Sequence, residues 1–106
     1  MGKVIKYDKL VRDKIPQIID DAGKECAVHI ADDKEYVSKL FDKVQEELNE
    51  FEENPSAEEM ADIFEVLDAM IGFYGLDADE IEAVKKEKKA DRGGFEERIV
   101  LEAVRE

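Results

Sequence analysis

Two long stretches of helical apolar periodicity, separated by Asn54-Pro55, constrain the fold of this chain more than any other feature. Between residues 33 and 53, apolar side chains recur at the spacing that places them on one face of a helix. They are Val37, Leu40, Phe41, Val44, Leu48 and Phe51. Residues 56–74 repeat the pattern with a wider apolar face, which predicts a second helix that is largely buried.

Shorter helices are predicted on both sides of this pair. Residues 13–22 carry isoleucines at helical spacing and end at Gly23, which suits a left-handed helix terminus. Residues 77–91 form a highly charged helical segment that begins after Gly75. We therefore expect an all-α fold.

A short two-strand element can be added to these helices. Residues 25–31 alternate apolar with other side chains, the period typical of a half-buried strand. Their natural partner is the apolar run at 98–104. The whole chain, residues 1–106, has the length of a single domain.

The net charge and the cysteine content limit the cell compartment and the binding partners that we expect for this protein. The formal charge of −13 argues against nucleic acid and anionic membrane as ligands, because both bind through Lys and Arg. No apolar stretch approaches the roughly 18 residues of a membrane span, and the single Cys26 cannot form an internal disulfide. We expect a cytoplasmic protein. Because so short a chain buries a limited core, we also expect a homodimer or a dimer of dimers.

Two acidic motifs lie on the paired helices: Glu46-Glu47-Leu48-Asn49-Glu50 and Glu59-Met60-Ala61-Asp62. When each residue is advanced by about 100°, Glu47 and Glu50 share an edge beside the apolar face, whereas Glu46 points away. Glu59 and Asp62 project from a mostly apolar surface, where an unpaired carboxylate is costly. Either basic side chains or a metal ion must compensate them.

Simpler readings exist for these residues. A charged helix face often serves only to keep a helix in solution. Ser56 and Glu59 also have the spacing of a capping box, in which the glutamate returns to the start of its helix. If the carboxylates do bind a metal, the absence of histidine and thiolate ligands favours Mg²⁺, with Mn²⁺ as the alternative. Magnesium commonly shares its ligands with substrate phosphates, which indicates a nucleotide-like substrate.

With these motifs the chain resembles the MazG-like all-α nucleoside triphosphate pyrophosphohydrolases, whose signature is Glu-Glu-x-x-Glu followed by Glu-x-x-Asp. The segments 7–16 and 92–95 are similar to the ends of its small phosphoribosyl-ATP pyrophosphohydrolase-like branch. The connection between the halves of the signature is short, which leaves little room for the loop that shapes the base pocket in larger relatives.

The resemblance implies a helical bundle that cleaves the α-β phosphoanhydride of a nucleotide substrate, releasing a monophosphate and pyrophosphate. Its motif positions imply four Mg²⁺ ligands, which are Glu47, Glu50, Glu59 and Asp62. One of three residues would activate the attacking water: Glu47, Glu50 or Glu46.

A triphosphate also needs cationic side chains, because Mg²⁺ neutralises only part of its charge. The candidates are Arg12, Lys14 and Arg92. The simpler reading of Arg92 is that it complements the dipole at a helix C-terminus.

Three hypotheses for function follow. The first is a pyrophosphohydrolase acting on nucleoside triphosphates, including non-standard ones. The second is a phosphoribosyl-ATP pyrophosphohydrolase. The third is a non-catalytic acidic helical module that binds a protein partner or a cation.

Overall fold

The computed structural model describes residues 2–106, which form four α-helices and no strand. The helices are α1 (Ile15–Asp21), α2 (Asp33–Glu53), α3 (Ala57–Phe73) and α4 (Ala78–Arg92). The predicted all-α class is confirmed, and each predicted helix is present within two residues of its expected ends.

Two compact units make up the chain: one extends to Met70 and the other spans Ile71–Glu106. The boundary between them falls within α3. A single domain over residues 1–106 stays a prediction.

Local hydrogen bonds explain where the paired helices begin. The Asp32 side chain accepts a hydrogen bond of 2.8 Å from the Glu35 N–H, which caps the start of α2. Ser56 does the same for α3, because its Oγ accepts from the Glu59 N–H at 3.2 Å. The connection from Asn54 to Ser56 joins the two helices.

The core of the first unit is small. Leu40 on α2 and Ile63 and Val66 on α3 are its buried apolar residues, with exposed fractions of 1%, 6% and 8%. The prediction that α3 is largely buried is wrong for a single chain. Several apolar side chains of the paired helices remain exposed: Phe41, Leu48, Phe64 and Leu67. Periodicity identified the apolar faces, but the elements described within residues 2–106 leave these four residues 40–59% exposed.

The predicted strand pair is also wrong. Residues 25–31 and 98–104 form neither strands nor helices, and apolar residues such as Ile30 and Val100 are exposed. A strand is stable only when a neighbouring strand accepts and donates its backbone hydrogen bonds. The alternating pattern alone therefore does not produce one.

In the second unit, Asp77 caps the start of α4, and its side chain accepts hydrogen bonds from the N–H groups of Asp79 and Glu80. Gly75 precedes it with a φ of 66°, a left-handed conformation that suits glycine. No helix within residues 2–106 is long and apolar enough to cross a membrane.

Candidate metal centre

Three of the predicted ligands meet where α2 ends and α3 begins. Glu47, Glu50 and Glu59 each direct one carboxylate oxygen into a group whose atoms all lie within 4.8 Å of one another. Glu47 and Glu50 are one helical turn apart on α2, and Glu59 lies in the first turn of α3. We refer to these residues as the three-glutamate group.

Two oxygens of this group are buried without a hydrogen-bond partner. They are Glu47 Oε2 and Glu59 Oε2, within the part of the chain that the structure describes. Glu47 is only 5% exposed, and its Oε1 lies 3.3 Å from Lys43 Nζ. Because a buried carboxylate oxygen without a partner is costly, this group is a candidate for binding a cation that several oxygens can coordinate.

The surroundings of Glu47 raise the pKa of its carboxyl group. Burial is the main cause that raises the pKa of the Glu47 carboxyl, and the neighbouring Glu50 carboxyl adds to it. The Lys43 ammonium opposes both effects. Three carboxylates close to one ammonium group retain excess negative charge. An all-oxygen set of this kind fits a hard divalent cation such as Mg²⁺ or Mn²⁺.

Helix capping involves Glu59 through its backbone rather than its side chain. The Glu59 N–H donates to Ser56 Oγ at 3.2 Å, as in half of a capping box. The reciprocal bond would place the Glu59 carboxylate on the Ser56 N–H, but Glu59 Oε2 is buried with no partner within residues 2–106. The carboxylate therefore remains free to bind a cation.

Asp62 lies outside the three-glutamate group and forms an ion pair with an arginine. Arg12 Nη2 donates to Asp62 Oδ1 at 2.8 Å. The sequence required that either basic side chains or a metal compensate Asp62, and in this structure a basic side chain does so.

Glu46 is bound by two ammonium groups. Lys9 Nζ lies 2.8 Å from Glu46 Oε1, and Lys43 Nζ lies 3.2 Å from Glu46 Oε2. The hydrogen bond from Lys9 is the main cause that lowers the pKa of the Glu46 carboxyl. Glu46 is half-buried by these contacts and does not belong to the three-glutamate group.

The remaining cationic candidates lie at helix ends. Lys14 is the N-cap residue of α1 and is exposed. Arg92 lies in the last turn of α4, in the second unit, where its charge complements the helix dipole.

Two lysines that contact the acidic motifs were not among the predicted site residues. Lys43 precedes Glu46 and Glu47 by three and four residues, so helical spacing could have identified it. Lys9 is 37 residues from Glu46, and no local pattern indicates their contact.

No protein-family model, curated protein or solved structure matches this chain. Membership of the MazG-like superfamily therefore stays a prediction from its motifs.

Proposed function

We propose that this protein is a Mg²⁺-dependent nucleotide pyrophosphohydrolase that cleaves the α-β phosphoanhydride of a nucleoside triphosphate. The observation that carries the proposal is the three-glutamate group, with two buried oxygens that have no partner among residues 2–106. The motif resemblance supports the class of reaction, and the acidic oxygen set supports the cation.

In the proposed reaction, water attacks phosphorus while the bond to the leaving oxygen breaks, giving a nucleoside monophosphate and pyrophosphate. When bound, Mg²⁺ neutralises phosphate charge and polarises the attacked group. A carboxylate accepts the proton of the water. Glu46 is poorly suited to this role because Lys9 and Lys43 hold its two oxygens and lower its pKa. Glu47 and Glu50 are the better candidates.

The test is pyrophosphate release from a panel of standard and non-standard nucleoside triphosphates and phosphoribosyl-ATP, with Mg²⁺ or Mn²⁺. We expect turnover of at least one substrate and a loss of about a hundredfold or more in Glu50→Gln. Glu52→Gln is the matched control, since Glu52 is exposed on the same helix and lies outside the three-glutamate group.

If no substrate in the panel reacts at any metal concentration, the enzyme proposal is wrong. A Mg²⁺-dependent rise in melting temperature without turnover would favour the cation-binding module instead. The preferred substrate within the panel decides between a nucleoside triphosphate and phosphoribosyl-ATP.

We also propose that the active form is a homo-oligomer. Phe41 and Leu48 on α2, and Phe64 and Leu67 on α3, have exposed fractions between 40% and 59%. On each helix these residues share a face, and a second pair of helices can bury such faces in a four-helix arrangement. The cytoplasm is the proposed compartment, because the exposed free thiol of Cys26 suits a reducing environment.

A further inference from the structure

The Lys43 ammonium contacts the three-glutamate group directly. Lys43 Nζ lies 3.3 Å from Glu47 Oε1 and 3.2 Å from Glu46 Oε2. The Lys43 and Glu47 side chains are only 17% and 7% exposed, whereas those of the Arg12–Asp62 pair are 56% and 34% exposed. Water therefore screens the contact between Lys43 and Glu47 much less than it screens an ion pair on the surface.

This contact distinguishes the two oxygens of Glu47. Oε1 faces the lysine, and Oε2 is buried without a partner within residues 2–106. The last torsion of a glutamate side chain has a broad energy minimum, so the chain itself does not fix the direction of the carboxylate. An ammonium that holds one oxygen fixes it. The other oxygen is then available to a cation together with oxygens of Glu50 and Glu59.

Lys43 is itself held in place by the acidic motif and by a distant segment. It lies three and four residues before Glu46 and Glu47 on α2, the spacing at which side chains of one helix meet. Glu46 is anchored in turn by Lys9, whose Nζ lies 2.8 Å from Glu46 Oε1. Two acceptors thus restrain a side chain whose four-carbon stem is otherwise flexible.

We propose that Lys43 is a positioning residue of the metal centre: its ammonium holds Glu47 Oε1, so that Glu47 Oε2 stays directed to a divalent cation. This inference rests on the proposed function for the identity of the cation, and it keeps the four motif carboxylates as the expected ligands. Partners that orient a ligand from outside the metal shell typically contribute about ten- to a hundredfold in metal affinity.

The charge of Lys43 alone predicts the opposite effect. An ammonium group close to a divalent cation repels it, so removal of that charge should strengthen Mg²⁺ binding. If the lysine acts by orienting Glu47, its removal should weaken Mg²⁺ binding instead. The direction of the change therefore separates positioning from simple electrostatics.

The first test is titration of Mg²⁺ into the wild-type protein and Lys43→Met, followed by calorimetry and by the rise in melting temperature. We expect Lys43→Met to bind Mg²⁺ about tenfold more weakly or worse. Lys34→Met is the matched control, since it removes the same charge from an exposed site on α2. Lys34 lies about 13 Å along the helix from Glu47, where salt screens its charge, so its affinity should equal that of wild type. Unchanged or tighter Mg²⁺ binding by Lys43→Met overturns the inference.

Rescue separates positioning from a general loss of structure. Lys43→Arg keeps a cation that donates to carboxylates and should recover most of the Mg²⁺ affinity that Lys43→Met loses. With a substrate in hand, the activity of Lys43→Met should be lost at low Mg²⁺ and should return at saturating Mg²⁺. Failure of both Lys43→Arg and saturating Mg²⁺ to restore these values would contradict a positioning role.

A measurement on the wild-type protein applies even if Lys43→Met does not fold. The nitrogen NMR signal of the Lys43 ammonium, identified by its absence from Lys43→Arg, is followed as Mg²⁺ is added. We expect the signal to persist at saturation, because the contact with Glu47 Oε1 remains in the bound state. A signal that disappears on Mg²⁺ binding would mean that the cation displaces the lysine, and the inference would be wrong.

These binding tests also separate the inference from the proposed function. Weaker Mg²⁺ binding by Lys43→Met, without turnover of any nucleotide, would support the role of Lys43 and contradict the enzyme proposal. Turnover with equal Mg²⁺ affinity in both proteins would contradict the role of Lys43 alone. A wild-type protein that binds no Mg²⁺ would contradict both.

Discussion

Glu47 has the least favourable environment of any described side chain in the candidate metal centre. It is 5% exposed, its Oε2 has no partner within residues 2–106, and Lys43 reaches only its Oε1. Proximity of the Glu50 and Glu59 carboxylates adds repulsion between like charges. Such an arrangement is costly for the fold without a metal, and under the proposed function a bound cation would offset that cost.

We predict that Glu47→Gln stabilises the metal-free protein at neutral pH by about 1 kcal/mol, because it removes a buried charge. Burial raises the folded-state pKa of Glu47. The stability contribution of its protonated form is therefore complete below the unfolded-state pKa and is lost as pH rises through the folded-state pKa. Urea unfolding in the presence of EDTA, at pH 4 and pH 7, measures the difference.

The advantage of Glu47→Gln should accordingly grow between these two pH values. The same variant should lose the stabilisation by Mg²⁺ that the wild-type protein shows. Glu52→Gln is the control, and we expect no change for it in either experiment. A Glu47→Gln protein that is less stable than wild type at pH 7 without metal would contradict the prediction.

At the scale of elements, two ion pairs and a hydrogen bond from a lysine hold the segment before α1 against α2 and α3. Lys9 with Glu46, Arg12 with Asp62, and Lys39 with the Asp8 carbonyl connect residues that are 31 to 50 positions apart. Because most of these groups are partly exposed, each contact is worth little alone. Together they give an otherwise irregular segment a defined course.

We predict that Glu46→Gln destabilises the protein by up to about 1 kcal/mol at pH 7 but leaves Mg²⁺ affinity nearly unchanged. Lys9 lowers the folded-state pKa of Glu46, so the contribution of the carboxylate is present above its unfolded-state pKa. It is lost as pH falls through the folded-state pKa. Thermal unfolding at pH 7 and at acidic pH should show a difference that shrinks as the pH falls.

Glu53→Gln, at the exposed end of α2, is the control for this variant. If Glu46→Gln instead abolishes Mg²⁺ binding while the protein remains folded, Glu46 belongs to the metal centre. The proposed separation between the ion-paired Glu46 and the three-glutamate group would then be wrong.

For the whole molecule, the contrast between abundant apolar helix faces and a small core is the main feature. The buried apolar core of the described residues consists of Leu40, Ile63 and Val66. By comparison, Phe64 on α3 is 59% exposed and Phe41 on α2 is 56% exposed. In the proposed homo-oligomer, a second copy of the chain would bury these faces and add stability.

We predict that Phe41→Ser and Phe64→Ser shift the protein toward monomer, because each removes apolar surface from the proposed interface. Analytical ultracentrifugation measures the change in mass. The melting temperature of the wild type, but not of the variants, should rise with protein concentration. Glu65→Ser, which alters the exposed residue beside Phe64, should have no effect on assembly. A wild-type protein that is monomeric at high concentration would contradict the oligomer proposal.

Local physical chemistry made most of the helices predictable. Apolar periodicity, Ser56 before α3 and the break at Asn54-Pro55 act within a few residues, and α2 spans the predicted Asp33–Glu53. The same periodicity set Glu47, Glu50, Glu59 and Asp62 apart from the other carboxylates, and the structure brings the first three together. The strand predicted at residues 25–31 does not form, because a strand depends on hydrogen bonds from a distant segment.

By itself, the sequence determined the helices and the faces on which the acidic residues lie, because both follow from bonds and spacings within one segment. Only the tertiary structure decided which cation faces each carboxylate: Arg12 reaches Asp62 across 50 positions of the chain, and Lys9 reaches Glu46. Helical geometry determines the direction of a side chain but not which residues pack against it. The partner of a charged group is therefore set by the path of the chain in space.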